Sequence, residues 1–111
     1  MSELVDRLCE SDHPVELPLR PERSARNLKD WIDRNFVHVR FTDTRGGTEL
    51  GFKLDRQQSD LTMANFDAPK GVVKLVGQLT LDYVSVQCIA EIDLGTLTGQ
   101  GHLVRLDKEA A

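Results

Sequence analysis

Residues 72–106 read VVKLVGQLTLDYVSVQCIAEIDLGTLTGQGHLVRL, and the spacing of apolar positions in this stretch decides the fold class. Val73, Leu75, Leu79, Leu81 and Tyr83 alternate with Lys74, Gln78, Thr80 and Asp82. A period of two belongs to a strand with one buried face and one wet face. A tight turn at Val84-Ser85 would pair Leu81 with Cys88, Leu79 with Ala90 and Leu75 with Leu94, keeping apolar partners together. Neither turn residue favours positive φ, so a longer loop or bulge is the other form open to this connection. A second turn at Gly95-Thr96 puts glycine first, as type II′ requires, and sets Ile92 against Gly99, Ala90 against Gly101 and Cys88 against Leu103. Large residues then meet small ones across the sheet, which suits a helix docking there.

The same period appears upstream. Val37, Val39 and Phe41 face one way and His38, Arg40 and Thr42 the other; Leu50, Phe52 and Leu54 repeat the pattern. A turn at Arg45-Gly46 pairs Phe41 with Leu50, Val39 with Phe52 and Val37 with Leu54, and Gly46-Gly47 keeps the same facing. Between the hairpins, residues 55–70 fit a short helix capped at Ser59-Asp60 or, through Leu61 and Met63, a strand. A stretch this long without structure is unusual in a compact domain, so it reads as a structured insert or a functional loop ended by Pro69-Lys70-Gly71.

Before residue 36 the period is helical. Ala25, Leu28, Ile32 and Phe36 make one buried stripe, with Trp31 on its margin. Glu22/Arg26, Arg26/Asp30, Lys29/Asp33 and Asp30/Arg34 lie four apart on the other faces, each pair adding about 0.2–0.5 kcal/mol. Pro21 suits the first turn of this helix. Residues 2–10 form a shorter helix with Leu4, Val5, Leu8 and Cys9 on one face. In residues 11–21, Pro14, Pro18 and Pro21 forbid a regular helix and leave an extended arm whose Val15, Leu17 and Leu19 line one side.

The expected fold is therefore α+β, in one domain spanning residues 1–111. A main helix at about 22–34 packs on one face of a five-stranded, largely antiparallel sheet (about 36–42, 48–55, 72–83, 86–94 and 97–106), with a proline-containing arm at 11–21. Leu28 and Ile32 should meet Val39, Phe52, Leu79 and Ala90 across that interface.

Length and composition agree with a single core. The chain has 111 residues, 40% hydrophobic and 29% charged, with a formal net charge of −4. A chain of this size buries roughly 65% of its unfolded surface. The acidic balance argues against nucleic-acid binding, which needs a surplus of Lys and Arg. The start, Met1-Ser2-Glu3-Leu4-Val5-Asp6-Arg7, lacks the basic and apolar run of a signal peptide. No stretch approaches the roughly 20 apolar residues of a membrane span. With Cys9 and Cys88 far apart, the expectation is a cytoplasmic protein with free thiols and no membrane partner.

Candidate chemistry is sparse. His13, His38 and His102 lack metal-ligand spacing and read as exposed, Cys88 as a small core residue, and no Ser, His and Asp arrangement assembles. No catalytic residue, metal or cofactor is assigned. Arg45, Gly46 and Gly47 could cradle an anion, although a hairpin turn accounts for both glycines. The feature that asks for explanation is an apolar group on the wet face: Val76, Ile89, Val104 and Leu106, with Glu91 and His102 on the rim. Such a cluster needs a cover, either the arm or another protein. The leading expectation is thus a non-catalytic accessory protein binding a protein partner, or itself as a homodimer, through the outer sheet face or an edge strand. The alternative is a small-ligand pocket between helix and sheet, open to catalysis, with residues 55–70 as its lid and Gly77, Gly99 and Gly101 making room for the ligand.

Overall fold

The computed structural model describes residues 3–19, 24–44, 46–68 and 70–106. Two short helices, α1 (Glu3–Glu10) and α2 (Ala25–Asp33), accompany six strands: β1 (His13–Glu16), β2 (Phe36–Phe41), β3 (Thr48–Leu54), β4 (Val72–Leu81), β5 (Val84–Asp93) and β6 (Thr98–Arg105). All six are antiparallel neighbours in a closed barrel, β1-β2-β3-β4-β5-β6 and back to β1. The expected open five-stranded sheet under one main helix is therefore incorrect.

The arm makes the difference. Its residues His13–Glu16 form a sixth strand that pairs with β2 through Val15↔Phe41 and with β6 through Val15↔Gly99 and His13↔Gly101. An open sheet would leave the outer edges of β2 and β6 unpaired; β1 satisfies both at once. Pro14 forbids a helix yet fits this strand, because it lacks only a donor, and its carbonyl accepts from the Thr42 N–H at 3.1 Å. Leu17 N–H then donates to the Leu97 carbonyl at 3.1 Å, carrying the chain on past the strand.

The interior is filled by the inward faces of all six strands. Val15, Val37, Val39, Phe41, Phe52, Val73, Leu75, Val86, Cys88, Ala90, Ile92 and Leu103 are all buried in one cluster. Residues of both helices join it: Val5 and Leu8 from α1, which packs on β6, and Leu28 and Ile32 from α2, which packs on β2. Helix α2 thus lies against β2 and does not roof a five-stranded open sheet. It begins at Ser24, whose hydroxyl accepts from the Asn27 N–H at 3.2 Å, while the expected first turn at 22–23 lies outside the described residues. It ends at Arg34, after which Asn35 turns left-handed with φ 65.

The registers separate by turn chemistry. The β5–β6 pairing is the one expected, Ile92↔Gly99, Ala90↔Gly101 and Cys88↔Leu103, but the expected type II′ turn is not formed: Gly95 holds no positive φ, and Leu97 does, at 60. The β4–β5 hairpin turns at Asp82-Tyr83 instead of Val84-Ser85, so Leu81 meets Val84, Leu79 meets Val86 and Gly77 meets Cys88. Both turn residues hold positive φ, 50 and 66, as a two-residue type I′ turn needs. The β2–β3 register slips by two, to Val39↔Leu50 and Val37↔Phe52, because the loop between Phe41 and Thr48 is wider than a tight turn. Each slip is an even number of residues, which is why the facing survives.

Closure also needs one close approach. Strands β3 and β4 pair only at Lys53↔Gln78 and Leu54↔Gly77. At Gly77 a Cβ would overlap the Phe52 ring and the Lys53 carbonyl, so glycine lets β4 cross tightly over β3.

Candidate functional site

The outward side chains of β4, β5 and β6 stand in cross-strand rows. Lys74 lies opposite Glu91 and then Gln100; Val76 lies opposite Ile89 and then His102; Gln78 lies opposite Gln87 and then Val104. The expected interface residues therefore do share one face. Their exposure differs. Val76 is buried at 2%, Ile89, His102 and Leu106 are half-buried, and Glu91 and Val104 are exposed.

The cover over Val76 comes from residues 55–60, not from the arm. The Val76 N–H donates to Ser59 Oγ at 2.9 Å, and the Val76 carbonyl accepts from the Asp55 N–H at 2.7 Å. One step along, Asp60 bridges to Lys74 through a reciprocal pair of backbone hydrogen bonds at 2.9 Å. The arm's Val15, Leu17 and Leu19 belong to the main core instead, so they do not cover the outer face.

Beyond Asp60 the segment is held by side-chain turns. Asp60 Oδ1 accepts from the Thr62 N–H at 2.9 Å and the Thr62 hydroxyl at 2.7 Å, and these bonds hold its carboxyl below the usual carboxylate range. Asn65 and Lys70 exchange backbone hydrogen bonds, bringing the chain back to β4. Gly71, at φ 95, fits under the Met63 carbonyl, where any Cβ would overlap the oxygen. This contact brings Met63 close to Val72, and both side chains are solvent-exposed, at 75% and 47%.

Two hollows result. One, of about 330 Å³, is lined by Asp60, Met63, Gly71, Val72, Lys74 and Glu91. The other, of about 240 Å³, is lined by Asp12, Lys74, Ile89, Glu91, Gln100 and His102. They share Lys74 and Glu91, so they form one groove across the strands. His102 Nδ1 meets Asp12 Oδ1 at 3.0 Å, fixing that end of the groove. A larger hollow of about 490 Å³ beside α2 mixes Arg26 and Lys29 with Asp30, Asp33 and Asp67 and has no single charge character.

The remaining candidates fall apart as sites. Arg45 of the expected anion loop lies outside the described residues; Gly46 and Gly47 hold φ 75 and 78 in a turn closed by Gly47 N–H to the Thr44 carbonyl at 2.9 Å. The three glycines expected to leave ligand space do not leave it. Gly77 is filled by Phe52, a Cβ on Gly99 would strike the Glu91 carbonyl, and one on Gly101 would lie 3.2 Å from Val15 Cγ1. Cys88 is buried, and burial pushes its thiol up to about 12. Among the described residues, no group of three His, Cys, Asp or Glu side chains is placed to hold a metal.

His13 was expected on the surface and is buried. Its Nδ1 lies 2.8 Å from Asp43 Oδ2 and its Nε2 lies 2.8 Å from the Arg7 carbonyl. Both partners are acceptors, so the protonated ring, with both nitrogens donating, is the form that satisfies both. Its pKa is raised, first by the Asp43 hydrogen bond and then by the Arg7 carbonyl, against the opposing effect of burial. The alternation of His13 with Val15 and Leu17 was the signal that could have placed it inward.

His38 was expected exposed and is half-buried. It sits edge-on to Trp31 and Phe36, at ring-centroid distances of 5.3 Å each, with Glu49 at 3.6 Å.

No family model and no curated protein matches the sequence. Among the described residues, no helix is long and apolar enough to cross a membrane.

Proposed function

We propose that the protein is a small docking domain that binds a protein partner on the outer face of β4, β5 and β6. The observation that carries this reading is the groove running from Met63 and Val72, past Lys74 and Glu91, to Ile89 and His102. Exposed apolar side chains at a concave, polar-rimmed site are the surface feature that partners bury. The packed barrel core backs the β4, β5 and β6 side of the groove, which favours binding there with little ordering of those strands.

The interior of the barrel gives the small-ligand alternative less support, because the glycine spaces on which it depended are filled. Ile89→Asp tests the docking reading. The variant should keep the far-UV circular dichroism and thermal melt of a folded barrel and lose partner binding in a pull-down or by calorimetry. A folded Ile89→Asp protein that binds normally would overturn this function.

A further inference from the structure

We infer that the groove takes a basic partner segment, an apolar side chain seated between Met63 and Val72 with a lysine or arginine beside it reaching Asp60 and Glu91. This rests on the docking reading above and goes beyond it by fixing the chemistry of the occupant. The Met63–Val72 end is the apolar part, with both side chains largely in water. At the apolar end the groove presents two carboxylates, Asp60 and Glu91, to one ammonium, Lys74, while at the far end Asp12 is met by His102. Asp60 keeps its charge firmly, since Thr62 donates two hydrogen bonds to the carboxylate. The surplus of negative charge beside an apolar seat is complementary to a cation carried next to an apolar residue.

The same charge argues against a second copy of this chain as occupant. A two-fold contact through the groove would set the Asp60 and Glu91 carboxylates of each copy against the same acidic rim, and the chain already carries a net charge of −4.

The test is selection of a randomised short-peptide display library on the immobilised full chain, repeated on Asp60→Asn/Glu91→Gln and on Ile89→Asp. Thermal melts confirm that each variant is folded. The expected result is enrichment of sequences with Lys or Arg next to Leu, Ile, Met or Phe. The best synthetic peptide should lose roughly fivefold or more in affinity on the Asp60→Asn/Glu91→Gln protein and weaken further as NaCl is raised. Apolar peptides without a basic residue, bound through Ile89 and indifferent to the two carboxylates, would overturn the basic-partner inference and leave the docking face standing. Peptides bound equally well by all three proteins would overturn both. A concentration-dependent dimer abolished by Ile89→Asp, seen by light scattering, would replace the basic segment with a second copy.

Discussion

An imidazole held between a carboxylate and a backbone carbonyl has one protonation state that satisfies both. His13 is in that position, tying the Arg7 carbonyl of α1 and the Asp43 carboxylate of the β2–β3 loop to strand β1. The Arg7 side chain opposes the positive ring, and the edge of Phe41 packs against it. Because the folded pKa is raised, this clamp contributes fully below the unfolded value of about 6.5 and is lost as pH rises through the folded value. His13→Gln should therefore cost about 1–3 kcal/mol at acidic pH. The gap between wild type and variant should narrow as pH rises, read from urea midpoints across the range. Cys88 makes a second prediction at this scale. Its thiol, pushed to about 12, should resist alkylation in the folded protein, while half-buried Cys9 should react first; mass spectrometry with and without denaturant reads the difference. The burial of Cys88 was legible from its place in the strand alternation. The burial of His13 runs against its residue type and follows only from its position in alternation with Val15 and Leu17.

Turns set the limits at the scale of elements. The β5–β6 register follows the large-to-small pairing of Ile92 with Gly99 and Ala90 with Gly101 although its positive φ falls on Leu97 and not on Gly95, whereas Asp82-Tyr83 carries no glycine and still adopts two positive φ values. Tyr83 is fully exposed at the hairpin tip, so its side chain gains nothing that offsets this conformation. Tyr83→Gly should raise stability by about 0.5–1 kcal/mol, seen as a higher melting temperature. Gly77→Ala should do the opposite. Its methyl group would meet the Phe52 ring and the Lys53 carbonyl and force β3 from β4, at a cost of about 2 kcal/mol or more. Amide hydrogen exchange should then rise at Asp55, whose N–H donates across to the Val76 carbonyl of β4 at 2.7 Å, before it rises in β5. Sequence periodicity could place these strands but not this crossing, since alternation says which face a residue occupies and not how strands approach. The groove residues show the same division. Ile89, Glu91 and His102 were legible as one outer face, but Asp60, Met63 and Val72 join them only through the folding back of residues 60–71.

At the scale of the molecule, closure depends on four residues of β1. Residues 11–21 looked like an arm because three prolines interrupt them, yet the free edges of β2 and β6 supply two partners for the short run between Pro14 and Pro18. Val15, 2% exposed, packs in the barrel core next to Gly101. Val15→Asp should unfold the protein or cost more than about 3 kcal/mol in chemical denaturation, where a loosely attached arm would tolerate the change. The pairing of β1 with β6 also sets the order of events during synthesis. The first strand of the barrel has its partners in β2 and in the barrel's last strand, and α1 likewise waits for Arg105 to meet Asp6. Until Thr98–Arg105 emerges, Val15 and Leu17 have no completed barrel to enter. A nascent chain stalled before that strand should therefore be cut by proteases near residues 13–16, which the finished barrel pairs on both sides.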